Sequence, residues 1–354
     1  MARVRDNIKA MTPYNPPLEG RSAKGYLLLD FNEMTIETSP KVRQALHDFV
    51  DSKRVQVYPE YGDLNEVIAS YAGVKPEEIL VVNGSDQGID VVMRAFVEKG
   101  DRVIIPSPSF AMEYQSALVQ GAEIIKPEYQ GPSLSFPLEE VLGLLDSSPK
   151  LFVLCNPNNP TGGDISMEDV QRILKRAKEK DVVVLHDEAY FEFSGITAKD
   201  FIKEFDNLCI TRTLSKQFGL ASVRAGYVIS QTQNIQEFMK IRGPYDVNMF
   251  AKTAIVAALA DLPYFERYIA EVMREAKPKV EEFFRAKGVK FYPGVANFLL
   301  VEPKEPEKLI KNLQEQGILV RPREDPPGTV RISIGTLQDT ERLILAYSRA
   351  MGWS

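Results

Sequence analysis

The chain has 354 residues, of which 44% are hydrophobic and 26% charged, a composition that predicts a globular protein large enough for two domains. Its formal net charge of −6 offers no basic excess for neutralising nucleic-acid phosphates, and no apolar stretch approaches the ~18 residues of a membrane span. Only two cysteines occur, Cys155 and Cys209, without a C-x-x-C pair, and the charged N-terminus lacks the apolar region of a secretory signal, so we expect a cytoplasmic protein.

Between residues 46 and 250, short apolar strands alternate with amphipathic helices. Strands are predicted at 79–82, 102–106, 123–125, 151–154, 182–185 and 208–211. Helices are predicted at 89–97, near 112–119, and after Ser166, which forms a capping-box pattern with Asp169. Continuous apolar strands that alternate with helices are typical of a mostly parallel sheet with helices on both faces. We therefore predict an α/β domain over residues 46–250.

The C-terminal part of the chain has a different pattern, in which one long helix precedes several shorter elements. Apolar residues recur at helical spacing over 264–287, where Pro278 is expected to kink the helix. Further strands are predicted at 289–292, 297–301, 318–321 and 330–334, and further helices at 307–316 and 339–351. This α+β layout predicts a second, smaller domain, formed by residues 251–354 together with an N-terminal arm over 1–45.

Polar residues directly follow four of the predicted strands. The segments are NGSD at 83–86, NPNNPTG at 156–162, HDEAY at 186–190 and RTLSK at 212–216. The carboxyl ends of strands in an open α/β sheet border its ligand site, and small residues at a helix start offer N–H groups to an anion. Taken one at a time, these are ordinary turn and capping residues, so only their joint occurrence indicates a site.

The joint set matches the chemical needs of pyridoxal phosphate. This cofactor requires a lysine amine that bonds to its aldehyde, an acid beside its ring nitrogen, donors to its phenolic oxygen and a cup for its phosphate. Residues of each type are available, namely Lys216, Asp187, Asn159 with Tyr190, and Ser215 with Arg224 and the turn at 84–86. The sequence therefore predicts a pyridoxal-phosphate site at one edge of the sheet.

Longer motifs in the same segments resemble those of a known family. They are YPEYGDL, NGSDQ, PSPSFAMEY, NPNNPTG, DEAYFEF, RTLSKQFGLASVRAGY, RGPYDVN, GILVRPR and VRISIGT, in this order along nearly the whole chain. The set resembles the fold-type I aminotransferases of class I and II, and within them the histidinol-phosphate aminotransferase family. The resemblance implies a fold-type I architecture, pyridoxal 5'-phosphate as the cofactor, and two small-molecule substrates, an amino donor and a 2-oxo acid.

The resemblance also implies a role for individual cofactor-binding residues. Lys216 would be the Schiff-base lysine, Asp187 would pair with the ring nitrogen, and Tyr190 would bond the phenolic oxygen. The remaining cofactor contacts are implied for Asn159 at the phenolic oxygen, Phe110 on the ring face, and Ser85, Asp86, Thr213, Ser215 and Arg224 around the phosphate. Tyr58 is implied to reach the phosphate of the neighbouring subunit, so the resemblance predicts a homodimer.

For the substrate, the resemblance implies Arg331 as the anion-binding arginine and Arg321 as a second anion contact. Tyr14 and Asn32 are implied to line the pocket.

The chain departs from the family pattern at four places. Asn-Glu-Met-Thr at 32–35 replaces Asn-Glu-Asn-Pro, and Ala-Ser at 221–222 replaces Ala-Gly. Asp-Gln at 86–87 replaces Asp-Glu, and Phe110 replaces tyrosine. The first and last departures lie near the pocket and therefore bear on the identity of the substrate.

The reaction implied by the resemblance is ping-pong transfer from histidinol phosphate to 2-oxoglutarate. An aromatic amino-acid aminotransferase and a phosphothreonine-type decarboxylase on the same scaffold stay open. A non-catalytic regulator that only binds the cofactor is disfavoured, because Lys216 is present and no spare DNA-binding segment is found.

Other chemistries have little support in the sequence. The chain has two histidines, His47 and His186, no G-x-S-x-G elbow and no second ligand cluster for a metal, so neither a serine triad nor a metal site is predicted. Cys155 is expected to be a buried structural thiol.

Overall fold

Two β-sheets organise the chain, which a computed structural model describes for residues 3–21 and 25–353. The strands are β1 Leu27–Leu29, β2 Ile79–Asn83, β3 Arg102–Ile104, β4 Glu123–Ile125, β5 Leu151–Cys155, β6 Val183–Asp187, β7 Leu208–Thr213, β8 Ala225–Ser230, β9 Lys290–Tyr292, β10 Phe298–Glu302, β11 Ile318–Arg323 and β12 Thr329–Ser333. The helices are α1 Asp6–Lys9, α2 Pro40–Asp51, α3 Leu64–Ala72, α4 Ser85–Phe96, α5 Ala111–Gln120, α6 Leu138–Leu145, α7 Met167–Glu179, α8 Phe191–Ser194, α9 Thr232–Ile241, α10 Met249–Leu259, α11 Leu262–Glu271, α12 Lys277–Ala286, α13 Pro306–Glu315 and α14 Leu337–Met351.

The larger sheet has seven strands in the order β2-β8-β7-β6-β5-β3-β4. The strands β4, β3, β5, β6 and β7 are parallel, whereas β8 runs antiparallel to both β2 and β7. Helices α6 and α7 pack on one face, and α4, α5 and α9 pack on the other. Because both faces are covered, β5 to β8 are buried along their whole length, which explains their continuous apolar sequences. The predicted mostly parallel sheet is confirmed.

The smaller sheet has five strands in the order β1-β11-β12-β10-β9. Strand β1 pairs in parallel with β11, with Leu27 opposite Ile318, and the other pairs are antiparallel. The four strands predicted near the C-terminus are confirmed to within a few residues. No strand is predicted from the sequence at β1, because three leucines form too short a run to identify.

The long helix predicted over 264–287 is present but interrupted. A π-helical turn, Val272–Ala276, separates α11 from α12, and Pro278 lies in the first turn of α12. Proline has no N–H to donate to the preceding turn, so the regular α-helical pattern is broken next to it.

A single apolar cluster continues from the larger sheet into the smaller one, as in the contact between the rings of Phe218 and Phe265, whose centroids are 4.8 Å apart. This shared core fixes the two sheets around the site described below. Within the described ranges, no helix combines the length and the apolar character required to cross a membrane.

Candidate active site

A cavity of about 480 Å³ lies where the parallel strands of the larger sheet end. Asp187 is the last residue of β6 and Thr213 is the last residue of β7, and both line this cavity. The lining includes every site residue predicted from the sequence except Tyr58, namely Tyr14, Asn32, Ser85, Asp86, Phe110, Asn159, Asp187, Tyr190, Thr213, Ser215, Lys216, Arg224, Arg321 and Arg331. Residues of both sheets therefore meet at one cavity.

Lys216 lies in the turn after β7. Its Nζ donates a hydrogen bond to the carbonyl oxygen of Phe31 at 2.9 Å. Burial, together with the positive charge of Arg331, lowers the pKa of Lys216 to about 8. Because only the neutral amine attacks an aldehyde, a lysine with a lowered pKa fits the residue that bonds covalently to the cofactor.

Asp187 has a buried carboxylate at the end of β6. Thr211 donates to its Oδ1 at 2.9 Å, and within the described chain no cation pairs with it. Burial raises the pKa of Asp187 to about 7. A protonated ring nitrogen in the cavity would supply the missing cation and stabilise the carboxylate, so this end of the cavity fits the pyridine ring of the cofactor.

Two further ionisable groups lie behind Asp187. Oxygens of Glu113 and Asp187 and the Sγ of Cys155 all lie within 4.8 Å of one another. Ser109 donates to Oε2 of Glu113 at 2.5 Å, whereas Oε1 has no partner in the part of the chain that is described. Burial and the charge of Asp187 raise the pKa of Glu113 to about 8, and burial raises that of Cys155. Both groups therefore keep their protons at neutral pH, and Cys155 is buried as expected.

Tyr190 and Asn159 are each held by a second residue. Asn32 donates from Nδ2 to Oη of Tyr190 at 2.8 Å, and Arg331 donates from Nη1 to Oδ1 of Asn159 at 2.6 Å. Each contact occupies an acceptor and leaves the hydroxyl hydrogen or the amide NH₂ free to donate into the cavity. Burial raises the pKa of Tyr190 to about 12, so its hydroxyl keeps the proton that it would donate to a phenolic oxygen.

The other end of the cavity surrounds the start of α4. Gly84, which precedes this helix, has a φ of 77°, a left-handed conformation that favours glycine. Arg224 pairs with Asp86 at 2.9 Å, and Thr213 donates from Oγ1 to Oγ of Ser215, also at 2.9 Å. A helix N-terminus, two hydroxyl groups and a guanidinium group form a donor set that fits a phosphate.

Gly226 in β8 allows the turn between β2 and α4 to approach the sheet closely. It lies opposite Val82 in β2 and Thr213 in β7. A Cβ atom at Gly226 would lie 2.6 Å from the carbonyl carbon of Gly84 and from the nitrogen of Ser85. The phosphate end of the cavity therefore depends on a residue without a side chain at this position.

Three arginines line the side of the cavity formed by the smaller sheet, Arg321, Arg323 and Arg331. Arg331 is buried, and its Nη2 donates to the carbonyl oxygen of Asp30 at 2.7 Å. Burial lowers the pKa of Arg331 to about 10, so the guanidinium stays charged at neutral pH. Tyr14, which is 39% exposed, lines the same cavity. This side of the cavity fits an anionic substrate.

Arg21 fixes the segment in which the chain departs from the family pattern. Its Nη2 pairs with Asp30 at 2.6 Å and with Glu33 at 2.5 Å, and its guanidinium lies 4.3 Å from the centroid of the Phe31 ring. Phe31 is also the residue whose carbonyl oxygen accepts from Lys216. These contacts hold the segment against the cavity even though Asn-Pro is absent from it.

Tyr58 lies outside the cavity of its own chain. Its side chain is 73% exposed, and its ring centroid is 4.6 Å from that of Tyr245. The two rings form an exposed aromatic pair.

The sequence alone does not identify three residues at or next to the site. Arg323 could have been found from its position two residues after Arg321, since alternate residues of a strand share a face. Glu113 and Arg21 have no comparable signal, because their contacts depend on how distant segments pack.

Known proteins resemble this chain over nearly its full length. The family model described as "Aminotransferase class I and II" matches residues 24–346. The histidinol-phosphate aminotransferase of Thermoanaerobacter sp. (strain X514) is 36% identical over 347 residues, which cover 96% of this chain and 96% of that protein. Histidinol-phosphate aminotransferase 2 of Archaeoglobus fulgidus is 33% identical, covering 97% of this chain and 99% of its own.

Solved structures with the same fold include both transferases and a lyase. Histidinol-phosphate aminotransferase from Sinorhizobium meliloti, in complex with pyridoxal-5'-phosphate, has a TM-score of 0.89 at 22% identity and covers 99% of this chain and 98% of its own. L-threonine-O-3-phosphate decarboxylase from Porphyromonas gingivalis has a TM-score of 0.79 at 23% identity, covering 92% and 99%. At these identities the likeness establishes the fold-type I architecture alone.

Proposed function

This chain belongs to the class I and II aminotransferases and is a pyridoxal-phosphate-dependent enzyme, and from that premise we propose that it transfers the amino group of histidinol phosphate to 2-oxoglutarate. The observation that carries the proposal is the cavity itself, in which Lys216 and three arginines meet. Histidinol phosphate has no carboxylate, so its phosphate is the anion that Arg321 and Arg331 would bind. The names of the full-length relatives support the same donor.

The cofactor, when bound, supplies a ring that withdraws electrons from the α-carbon of the substrate. We propose that Asp187 holds the proton on the ring nitrogen, and that Tyr190 and Asn159 donate to the phenolic oxygen. The helix α4 N-terminus, Ser215 and Arg224 would bind the phosphate. Phe110 would cover one face of the ring, since it lines the cavity at the start of α5.

Lys216 carries the proton transfer in this proposal. With the cofactor bound to the substrate, the free Nζ would take the proton from the α-carbon of the donor and deliver it to the carbon that carried the aldehyde of the cofactor. A pKa of about 8 suits both directions, because the amine then exists in both protonation states near neutral pH. Donor and acceptor use the same pocket in turn, so the kinetics are ping-pong and Arg331 is expected to bind the anionic group of each.

The donor is tested by a substrate panel with 2-oxoglutarate as the acceptor. The panel consists of histidinol phosphate, histidinol, phenylalanine and O-phosphothreonine. We expect histidinol phosphate to have by far the highest kcat/KM. Histidinol, which differs only in lacking the phosphate, should be about ten- to a hundredfold poorer, since a charge-assisted contact contributes about 1.5–3 kcal/mol. Preference for phenylalanine would instead identify an aromatic aminotransferase. Release of CO₂ from O-phosphothreonine without amino transfer would identify a lyase.

The homodimer is a second part of the proposal, and the exposed pair of Tyr58 and Tyr245 supports it. We propose that Tyr58 completes the phosphate site of the neighbouring subunit. Mixing Lys216→Ala with Tyr58→Ala under subunit exchange should then restore activity, because one site of each hybrid carries both defects and the other carries none. Mixing Lys216→Ala with Asp187→Ala is the matched control and should restore nothing, since both residues act within their own chain. Equal failure of both mixtures would place Tyr58 in its own chain or exclude the dimer.

A cytoplasmic location also remains part of the proposal. It is supported by the two cysteines, which are both buried and unpaired, as expected for a protein that folds under reducing conditions.

A further inference from the structure

The hairpin of β11 and β12 carries three arginines along the side that lines the cavity. Arg321 is directly opposite Arg331 in the antiparallel register. Arg323 follows two residues later on β11, so its side chain leaves the sheet on the same face as that of Arg321. Like charges that lie directly opposite each other destabilise an antiparallel pair, and a third charge on the same face adds to the cost. The arrangement is therefore stabilised when anions lie against it.

The chain supplies little of this compensation itself. Throughout the described ranges, no carboxylate forms an ion pair with any of the three guanidinium groups, whereas Arg21 occupies Asp30 and Glu33. The charge of Asp325 acts on Arg323 without forming an ion pair, and its carboxylate accepts a hydrogen bond from Ser107 at 3.0 Å.

The free donors of the arginines lie inside the protein rather than in solvent. The Nε atoms of Arg323 and Arg331 are both shielded from solvent and have no hydrogen-bond partner among the residues described. Burial, with the charge of Arg321, lowers the pKa of Arg323 from its ordinary value. Shielded, unpaired N–H donors on a cavity wall are costly unless a ligand accepts from them.

The positions of the arginines separate two anion sites. Arg321 and Arg331 form one cross-strand pair, and Arg323 lies roughly 7 Å further along the strand, since two residues of a strand span about that distance. If one anionic group of a ligand binds between Arg321 and Arg331, Arg323 remains available to bind a second anionic group of the same molecule. The separation is within reach of the two ends of a five-carbon diacid.

The choice of ligand rests on the proposed function, in which the acceptor is 2-oxoglutarate. Each substrate has an anionic group on one side of the reacting carbon, a carboxylate bonded to it in the acceptor and a phosphate linked through CH2–O in the donor. Only the acceptor has a second anionic group at its far end. The donor ends in an imidazole ring, which has no negative charge to pair with a guanidinium. We propose that Arg323 is a specificity-determining residue that binds the distal carboxylate of a dicarboxylic 2-oxo acid, while Arg331 binds the carboxylate next to the reacting carbon.

Binding of unreactive acids to the holoenzyme separates this role from catalysis. Calorimetry with glutarate, which has two carboxylates, and with butyrate, which has one, should give a clear preference for glutarate. In Arg323→Gln the Kd for glutarate should rise by about ten- to a hundredfold, because a charged hydrogen bond is lost, and the Kd for butyrate should stay within about twofold. Arg323→Lys should recover part of the preference, since it keeps the charge but not the planar fork. Arg285→Leu, which removes an exposed charge on α12, is the matched control and should change neither value.

Steady-state kinetics with two 2-oxo acids provide a second test of the role of Arg323. Arg323→Gln should lower kcat/KM for 2-oxoglutarate by the same factor and leave 2-oxopentanoate, whose side chain is neutral, unchanged. Equal loss for both acids, or no loss for either, would overturn the inference. The proposed donor can fail separately. If histidinol phosphate is not a donor, but the wild type prefers glutarate and Arg323→Gln loses this preference, the proposed donor is overturned and the inference about Arg323 stands.

Discussion

Replacing Gly226 with alanine tests whether the phosphate end of the cavity depends on the close approach of the turn between β2 and α4 to β8. The new Cβ would lie 2.6 Å from the carbonyl carbon of Gly84 and the nitrogen of Ser85, and 2.9 Å from the carbonyl oxygen of Arg212. Ordinary contact begins at 3.4 Å, so the turn between β2 and α4 would have to move by 3.4 − 2.6 = 0.8 Å. All three atoms belong to the backbone, so no side-chain rotation relieves the overlap. We expect the free energy of unfolding to fall by about 1–3 kcal/mol.

The same displacement should weaken cofactor binding. The turn carries the N–H groups at the start of α4, and an error of about 1 Å in a positioned group can cost about a hundredfold. We therefore expect the Kd for pyridoxal phosphate, titrated by absorbance into cofactor-free protein, to rise at least tenfold in Gly226→Ala.

The matched control is Gly143→Ala in α6, where a Cβ atom meets nothing within 4 Å. This substitution should leave the Kd unchanged and raise the unfolding free energy by about 0.5–1 kcal/mol, because alanine is the better helix former. If Gly226→Ala binds the cofactor as tightly as the wild type, the turn does not position the phosphate.

Three other substitutions test separate parts of the site. Asp187→Ala should reduce kcat severely while the far-ultraviolet circular dichroism stays unchanged, since the ring nitrogen loses the charge that keeps it protonated; near-normal turnover would assign this role to another residue. Arg331→Leu should lower kcat/KM at least about tenfold for both the donor and the acceptor, and a loss confined to one of them would show that Arg331 is not the shared anchor. The stability of Glu113→Gln relative to the wild type should rise as the pH goes from 5 to 9 in cofactor-free protein. The reason is that the pKa of Glu113 is raised from 4.5 to about 8 in the folded state, so the stability from its neutral carboxyl is present at low pH and is lost as the pH rises through 8. An unfolding midpoint that differs from the wild type by the same amount at both pH values would contradict the raised pKa.

Much of the larger sheet can be predicted from the sequence, because strands that are buried on both faces have continuous apolar runs. Strand β5 was located by its continuous apolar run, and α7 by the cap in which Asp169 donates from its backbone N–H to Oγ of Ser166 at 3.1 Å. The sequence predicts no strand at β8, because its first two residues, Ala225 and Gly226, are small and belong to the motif that follows Lys216. The close approach that requires Gly226 is a tertiary feature, which no local pattern expresses.

The site residues divide in the same way. Asp187 ends β6 and Lys216 lies three residues after the end of β7, so their meeting at one edge of the sheet can be expected from topology. The hydrogen bond from Asn32 to Tyr190 joins residues 158 positions apart. It depends on how the smaller sheet packs against the larger, which the sequence does not show. The role of Glu113 behind Asp187 is likewise a consequence of packing, because its carboxyl is unusual only in being buried without a cation.

The central claim is that Lys216 is the residue that bonds to the cofactor, and reduction of the holoenzyme with borohydride followed by peptide mapping tests it most directly. Reduction makes the bond between cofactor and lysine permanent, so the modified peptide identifies the residue. We expect the purified protein to be yellow and the modification to be on Lys216, and we expect Lys216→Ala neither to retain the modification nor to turn over substrate. Modification of any other lysine, or none in the active wild type, would contradict the account.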